Sequence, residues 1–326
     1  MRPDELDRSD VVGAIAAAAA RVSNWGRWGA DDVQGTLNFI DDAKIRQAAA
    51  CVRTGRVISM SQPYDLNGPQ SGWNKRTNPT HSMLYTGFEA EAGLQPIPHG
   101  FGGSDDVISM PLQCSTQWDG LGHIFDHGVA WNGRRASEVV TSYGDQVTGI
   151  QNQRDGIVSR GVLLDMGRHF GDEHGELPDG FAITVEHIDA AIAIQGPTSV
   201  VGRGDIIVVR TGHYSRTRRD GWGEYAAGPA PGMSFTTVDW LHSTEVAAVA
   251  TDTWGFEVRP NEFDDAFQPL HQVVIPHMGM FIGEMWDPDR LAEACAADGN
   301  YDFLLSAAPL PFTKAVGSPL NPLAMR

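Results

Sequence analysis

An aspartate and a histidine stand four positions apart in a polar stretch of the first half of the chain. The stretch reads Gln117-Trp118-Asp119-Gly-Leu-Gly-His123. A carboxylate oxygen and an imidazole nitrogen both suit a divalent ion such as Zn²⁺ or Mn²⁺, provided that a loop brings them together. The alternative is structural: Asp119 caps a turn, and His123 forms a hydrogen bond in the core. Spacing alone leaves both interpretations open.

A second pair of such residues lies near the carboxyl terminus. His271 precedes Glu284 by thirteen positions in an otherwise apolar run. A buried carboxylate is costly unless it is paired or binds a metal, so Glu284 needs a partner. The alternatives are a glutamate exposed at the edge of a loop, or one neutralised by Arg290.

Several common catalytic signatures are absent from the sequence. It contains no G-x-S-x-G elbow, no H-E-x-x-H, no P-loop and no G-x-G-x-x-G after a strand. The absence of these motifs disfavours serine hydrolases, zincins, nucleoside triphosphatases and Rossmann dehydrogenases. The segment Gly202-Arg-Gly204-Asp205 is interpreted as a turn.

Alternating helical and strand patterns must position these residues. Capping and periodicity predict helices at about 10–22, 42–53, 184–194, 236–246 and 287–298. Short β-branched runs predict strands at 57–60, 162–166, 205–211, 246–250 and 303–305. Glycine and proline clusters predict surface loops at 67–72, 96–103 and 228–232. No repeat or linker divides the chain, so we predict a single α/β domain over residues 1–326, with a helical segment at 1–56.

Composition restricts the partners and the compartment. With 24 basic and 41 acidic residues the net charge is −17, which disfavours nucleic acid and anionic membranes as partners. The three cysteines are far apart, which suggests neither a disulfide framework nor a thiolate zinc site and fits a reducing compartment. The alanine-rich run near the amino terminus is too short to span a membrane, and the acidic start does not fit a secretory signal. We therefore predict a cytoplasmic protein.

A series of ordered motifs resembles one family. The segment Gln113-x-Ser-Thr-Gln117-Trp118-Asp119-Gly-Leu-Gly-His123, with Trp131-Asn-Gly133 after it, resembles the signature loop of the metal-dependent cyclase family, usually H-x-G-T-H-x-D-x-P-x-H. This family includes bacterial kynurenine formamidases and isatin hydrolases. Further matches are Asn24-Trp-Gly-Arg-Trp28-Gly, Gly35-Thr-Leu-Asn38, Gly204-Asp-Ile-Ile-Val-Val-Arg210-Thr-Gly212, Asp252-Thr-Trp254, Pro269-Leu-His271-Gln, Gly283-Glu284 and Gly317-Ser-Pro-Leu-Asn-Pro322.

The resemblance implies a swivelling β/β/α-type fold, with a mixed β-sheet and flanking helices, and a metal site. One divalent ion, Mn or Zn, would bind through Asp119, His123, His271 and Glu284. Gln113 and Gln117 stand where the family has the two histidines of another metal position, and amide oxygens are weaker zinc ligands than imidazoles.

Further roles follow from the resemblance. His123, Gln117 and His271 are the expected catalytic residues; an imidazole that is not a ligand would take the proton from water. The expected substrate-binding residues are Gln113, Trp118, Trp28 and, from its position in a loop, His81. The alternatives are core packing for the tryptophans, packing of the loop for the glutamine and a solvated side chain for His81. The segment from Asn24 to Asn38 is expected to help close the pocket.

The expected activity is hydrolysis of a small cyclic or aryl amide or lactone by metal-activated water. Two alternatives remain open: a metal-assisted lyase or isomerase of a carbonyl compound, and a small-molecule binding protein without turnover. We expect a homodimer or homotetramer.

Overall fold

The structure, a computed structural model, describes residues 6–326 as a mixed β-sheet flanked by helices. Its α-helices are α1 Val11–Val22, α2 Asp42–Ala49, α3 Gly87–Glu91, α4 Ala136–Val139, α5 Met166–Phe170, α6 Val185–Gln195, α7 His213–Asp220, α8 Val238–Ser243, α9 Pro269–Val273 and α10 Asp289–Asp298. Its strands are β1 Val57–Ser59, β2 Thr80–Tyr85, β3 Asp105–Ser109, β4 Gln117–Asp119, β5 Val129–Ala130, β6 Arg134–Arg135, β7 Val140–Thr141, β8 Gly144–Asp145, β9 Val158–Asp165, β10 Ala182–Ile183, β11 Ile206–Arg210, β12 Gly232–Met233, β13 Ala248–Thr251, β14 Phe281–Glu284, β15 Asp302–Ser306, β16 Gly317–Pro319 and β17 Leu323–Met325.

The largest sheet within residues 6–326 has the strand order β1-β17-β15-β9-β11-β13-β14-β4-β16. The four strands from β9 to β14 run parallel. The strands on both sides of this block pair antiparallel. The sheet is therefore mixed, and the candidate site residues of β4 and β14 lie where the parallel block meets an antiparallel strand.

Both faces of the parallel block are covered, which explains its continuous apolar sequence. In β11, Ile207 and Val209 belong to one core cluster, whereas Ile206 and Val208 belong to the other. This alternation follows from the period of two in a strand. Helices α1, α6, α8 and α9 contribute to the first cluster, and α10 contributes to the second.

The predicted elements are largely confirmed. The α/β class with a mixed sheet holds, and each predicted helix and strand has a counterpart, with shifted ends. Helix α2 is shorter than predicted because Cys51 N bonds to the carbonyl of Ala48 and closes a tight turn. The single-domain assignment stays a prediction, and residues 1–5 of the expected amino-terminal segment lie outside the described residues.

The hairpin formed by β2 and β3 was not predicted, and its strand residues are all exposed. Its strands bracket the predicted loop at 96–103 and carry exposed apolar side chains such as Met83 and Ile108. Between residues 6 and 326, no helix combines the length and hydrophobicity that crossing a bilayer requires.

Candidate active site

The adjacent strands β4 and β14 carry three polar side chains of the candidate site. In this antiparallel pair, Glu284 lies directly opposite Gln117. Because side chains alternate between the two faces of a strand, Gln117 and Asp119 project to the same face as Glu284. All three are buried. The pair of strands thus places one amide and two carboxylates on one patch of the sheet.

The other face of β4 carries Trp118. Its indole packs edge-on against Trp286, with 5.0 Å between ring centroids, and its Nε1 donates to the Ala307 carbonyl at 2.8 Å. A side chain at Gly283 would lie 2.5 Å from Ala250 Cβ and 3.0 Å from the Trp118 ring, so glycine is needed at this position. The structure therefore places Trp118 in the core: the alternation that presents its two neighbours to the site turns Trp118 to the opposite face of the sheet.

Helix α9 supplies the imidazole. Pro269 occupies its first turn, where the missing N–H costs nothing. The Glu257 carboxylate accepts hydrogen bonds from the backbone N–H groups of Leu270 and His271, each at 3.0 Å, and so caps the helix. The same carboxylate lies 2.7 Å from His271 Nδ1. Glu257 therefore fixes both the start of the helix and the orientation of the ring.

Asp119, His271 and Glu284 meet in one buried cluster. One potential ligand atom from each lies within 4.8 Å of the other two. His271 Nε2 is 3.1 Å from Glu284 Oε1. Gln117 Nε2 donates to Asp119 Oδ1 and to Glu284 Oε2, each at 3.0 Å. Among the described residues, the buried Gln117 Oε1 has no hydrogen-bond partner.

The cluster carries an excess of buried negative charge. Burial, together with the nearby Asp119 carboxylate, raises the pKa of Glu284 to about 7. Burial alone would lower the pKa of His271, but its hydrogen bonds to Glu257 and Glu284 outweigh this effect and raise the pKa to about 10. Three carboxyl groups thus surround one imidazole in a region shielded from water. Such a charge balance favours a bound cation.

The residues present fit one divalent ion. One imidazole nitrogen and two carboxylate oxygens form a donor set that Zn²⁺ or Mn²⁺ accepts. A ligating imidazole is neutral and typically donates its other N–H to a carboxylate, which is the arrangement that Glu257 offers at Nδ1 of His271. The unpartnered Gln117 Oε1 is the kind of buried atom that a bound ligand or water satisfies.

His123 lies beside this cluster and is not part of it. Its Nε2 is 3.6 Å from Asp119 Oδ1. The turn between Asp119 and His123 packs closely against Asp145. A side chain at Gly122 would lie 2.1 Å from an Asp145 carboxylate oxygen, so this turn needs glycine there. Burial lowers the pKa of His123; Asp119 opposes this shift and Arg76 adds to it. Of the four predicted ligands, Asp119, His271 and Glu284 form the cluster, and His123 lies beside it.

A pocket of about 160 Å³ opens above the cluster. Asp119, His123, His271 and Glu284 line it together with Trp73, Asn74, Arg76, Ile124, Trp254, Phe267 and Gln268. Two residues at or near this pocket, Arg76 and Glu257, were not predicted from the sequence. Arg76 lies in a loop that matches no motif, and the pairing of Glu257 with His271 depends on tertiary contact. The sequence signal that could have identified Glu257 is its position in the apolar segment that follows Trp254.

Three predicted substrate-binding residues lie away from this pocket. The His81 ring is exposed on the hairpin and lies 2.8 Å from Asp106 Oδ2. Trp28 packs against aromatic side chains of the core. Gln113 does not line the pocket; its buried Nε2 lacks a partner in residues 6–326 and lies beside Gly317. The structure therefore does not support direct substrate contact by these side chains in this pocket.

The amino-terminal segment also lies apart from the pocket lining. Asn24 Nδ2 donates to the Met278 carbonyl, and the Trp25 ring stacks on His277 at 5.0 Å. The segment thus packs on the turn that follows α9. It supports the element that carries His271 and does not close the pocket directly.

Comparison with known proteins defines the class. The cyclase family model matches residues 58–258, and a solved structure described as a novel cyclase is 37% identical, covering 94% of this chain and 99% of that chain with a TM-score of 0.86. The chain therefore belongs to the cyclase family. A comparison with curated proteins found no match.

More distant relatives share the fold. Isatin hydrolase A from Labrenzia aggregata, bound to benzyl benzoate, is 17% identical with a TM-score of 0.61, covering 86% of this chain and 98% of that chain. A structure described as a predicted metal-dependent hydrolase from Bacillus stearothermophilus is 14% identical with a TM-score of 0.52, covering 82% of this chain and 97% of that chain.

Proposed function

We propose that this protein is a metal-dependent hydrolase that opens a small cyclic or aryl amide or lactone. The observation that carries the proposal is the buried cluster of Asp119, His271 and Glu284 at one end of a small pocket. Its donor set and excess negative charge suit a divalent ion. The names of the isatin hydrolase and metal-dependent hydrolase relatives support hydrolysis as the reaction type.

Each residue of the cluster has a distinct task. Asp119, His271 through Nε2, and Glu284 would hold the ion. When bound, such an ion polarises a substrate carbonyl and lowers the pKa of water to about 7. Glu257 keeps the His271 proton on Nδ1, so that Nε2 presents its lone pair. Gln117 holds the two carboxylates in a fixed relative orientation through its Nε2.

His123 is the residue best placed to move a proton. It lines the pocket, and its Nε2 lies outside the ligand cluster but within 3.6 Å of Asp119. A neutral imidazole there can accept a proton from water and return it to the leaving group. Asp119 would stabilise the imidazolium formed in between.

The structure favours one ion over two. Gln117 Nε2 already contacts one oxygen of Asp119 and one of Glu284. The amide donor satisfies these oxygens without adding charge, whereas an imidazole at this position would be free to ligate. Gln113, at the second replaced position, does not line the pocket.

The reaction type is tested with labelled solvent. We expect the metal-loaded protein to convert a member of a panel of aryl amides and lactones into an acid that carries one oxygen from H₂¹⁸O. A product without solvent oxygen would instead indicate a lyase or isomerase. Saturable binding across the panel without turnover would indicate a binding protein.

The proton-transfer role is tested by His123→Gln. We expect kcat to fall about 10²- to 10⁴-fold while the metal content stays unchanged. The exposed His174→Gln variant is the matched control and should retain full activity. Loss of metal in His123→Gln would assign this histidine to the ligands, and unchanged kcat would remove it from the mechanism.

A further inference from the structure

We infer that the substrate carries a negatively charged group, which Arg76 binds, on a small ring that lies against Trp73, Trp254 and Phe267. This inference rests on the proposed function and names the substrate class for the same pocket. The inference is based on the positive charge and the aromatic surface at the pocket wall.

Arg76 is a half-buried cation without a carboxylate partner. No carboxylate oxygen of the described residues lies within 4.0 Å of its guanidinium. Its Nη2 is 3.5 Å from His123 Nε2, and its guanidinium carbon lies 5.3 Å from the centre of the Trp254 ring. In contrast, the buried Arg160 pairs with two aspartates. An arginine that lines a pocket without a carboxylate partner keeps its positive charge available to an anionic ligand.

The position of Arg76 explains why an anion would bind there. The guanidinium has five N–H donors in a planar fork that matches a carboxylate or sulfonate. Stacking on Trp254 holds this fork at the pocket wall and leaves available the donors other than the one that Nη2 directs at His123. A second guanidinium, that of Arg259, lies 5.9 Å from the same ring. Its Nη1 is buried and has no partner among residues 6–326.

The three rings define the shape of the ligand. Trp73 stacks on Phe267, with 5.3 Å between centroids and 19° between planes, and meets Trp254 edge-on at 5.4 Å. Trp73 and Phe267 are 41% and 49% exposed, so apolar ring surface is available at the opening. The pocket volume of about 160 Å³ is below the roughly 300 Å³ at which sites for drug-sized ligands begin. A single-ring anion fits these limits.

The competing explanation is that Arg76 only balances the acidic cluster. Asp119 and Glu284 already have Gln117 and His271 as hydrogen-bond partners, and Arg76 contacts neither carboxylate within 4.0 Å. If charge balance were its role, removing Arg76 would change the metal affinity and leave ligand selectivity unaltered.

Binding of a matched pair of probes tests the inference without requiring turnover. Benzenesulfonate carries the charge and is a weak metal ligand; methyl phenyl sulfone is its neutral counterpart. By calorimetry on the metal-loaded full chain, we expect benzenesulfonate to bind at least tenfold more tightly than the sulfone. Arg76→Gln should abolish this difference, Arg76→Lys should retain part of it, and Trp73→Ala should weaken both probes.

The controls make each outcome decisive. The exposed Arg290→Gln variant should bind both probes as the unmodified protein does. Equal binding of the two probes, or a preference that survives Arg76→Gln, would overturn the inference, as would a change confined to metal affinity. The hydrolase proposal fails separately, when no amide or lactone is turned over by a protein that still discriminates between the probes.

Discussion

Glu257→Gln removes one charge from the site while preserving the size of the side chain. The carboxylate accepts from Leu270 N and His271 N at 3.0 Å and lies 2.7 Å from His271 Nδ1. A glutamine has only one oxygen, so its NH₂ group must face one of these N–H donors. The substitution therefore weakens both the cap of α9 and the restraint that keeps the His271 proton on Nδ1.

The size of the effect follows from these contacts. Removing a carboxylate that orients a ligand histidine typically lowers metal affinity 10- to 100-fold, about 1.4 to 2.7 kcal/mol. A buried N–H left without an acceptor costs a further 1 to 3 kcal/mol or so of unfolding free energy in the metal-free protein. The two effects can be separated because metal stabilises the folded state only in proportion to ln(1 + [M]/Kd).

The assay is competition for Zn²⁺ or Mn²⁺ between the protein and a chromophoric chelator, with urea unfolding in parallel. Glu262→Gln is the matched control, because Glu262 accepts hydrogen bonds from Ser234 and Phe235 N and contacts no ligand residue. We expect the control to keep its metal Kd. A Kd in Glu257→Gln equal to that of the unmodified protein would refute the role assigned to this glutamate.

Three further outcomes are expected. Gln117→Ala should lower kcat/KM at least about tenfold, or 1.4 kcal/mol, with metal retained, because two carboxylates lose their shared donor; unchanged kinetics would leave the glutamine structural. Burial lowers the pKa of His213 to about 4, against 6.5 in the unfolded chain, so only the unfolded state gains a proton between these values. The unfolding free energy should fall by up to about 3 kcal/mol from pH 6.5 to pH 4, and His213→Phe should lose this component in urea titrations. The exposed apolar residues of the β2–β3 hairpin predict self-association: light scattering should give a multiple of 35.3 kDa, reduced to the monomer by Met83→Lys with Ile108→Lys, and a monomeric mass of the unmodified protein would contradict this.

The sequence predicted best the elements whose local pattern agrees with their tertiary surroundings. The β-branched run of β11 is covered on both faces, and the alanine-rich α1 has a clear amino-terminal cap at Asp10, so local pattern and tertiary context agree. Strand β4 was missed because it has three residues, two of them polar. Its existence depends on pairing with β14 and β16, which no local pattern reveals.

The sequence predicted which residues form the candidate site better than it predicted how they are arranged. Asp119, His271 and Glu284 do converge, whereas Trp118, expected at the pocket wall, lies in the core because β4 is a strand. Glu257 and Arg76 could not be assigned from the sequence. Their roles arise from contacts between segments distant in the chain, and neither lies in a motif with a fixed spacing.

Metal stoichiometry tests the central claim most directly. Elemental analysis of protein purified without added metal or chelator should find one divalent ion, Mn or Zn, per chain. Asp119→Ala should lose both the ion and the activity, whereas Asp302→Asn, a buried aspartate on β15 that pairs with Arg160, should keep the ion. Full hydrolytic activity in metal-free protein, or an ion retained in Asp119→Ala, would contradict the account.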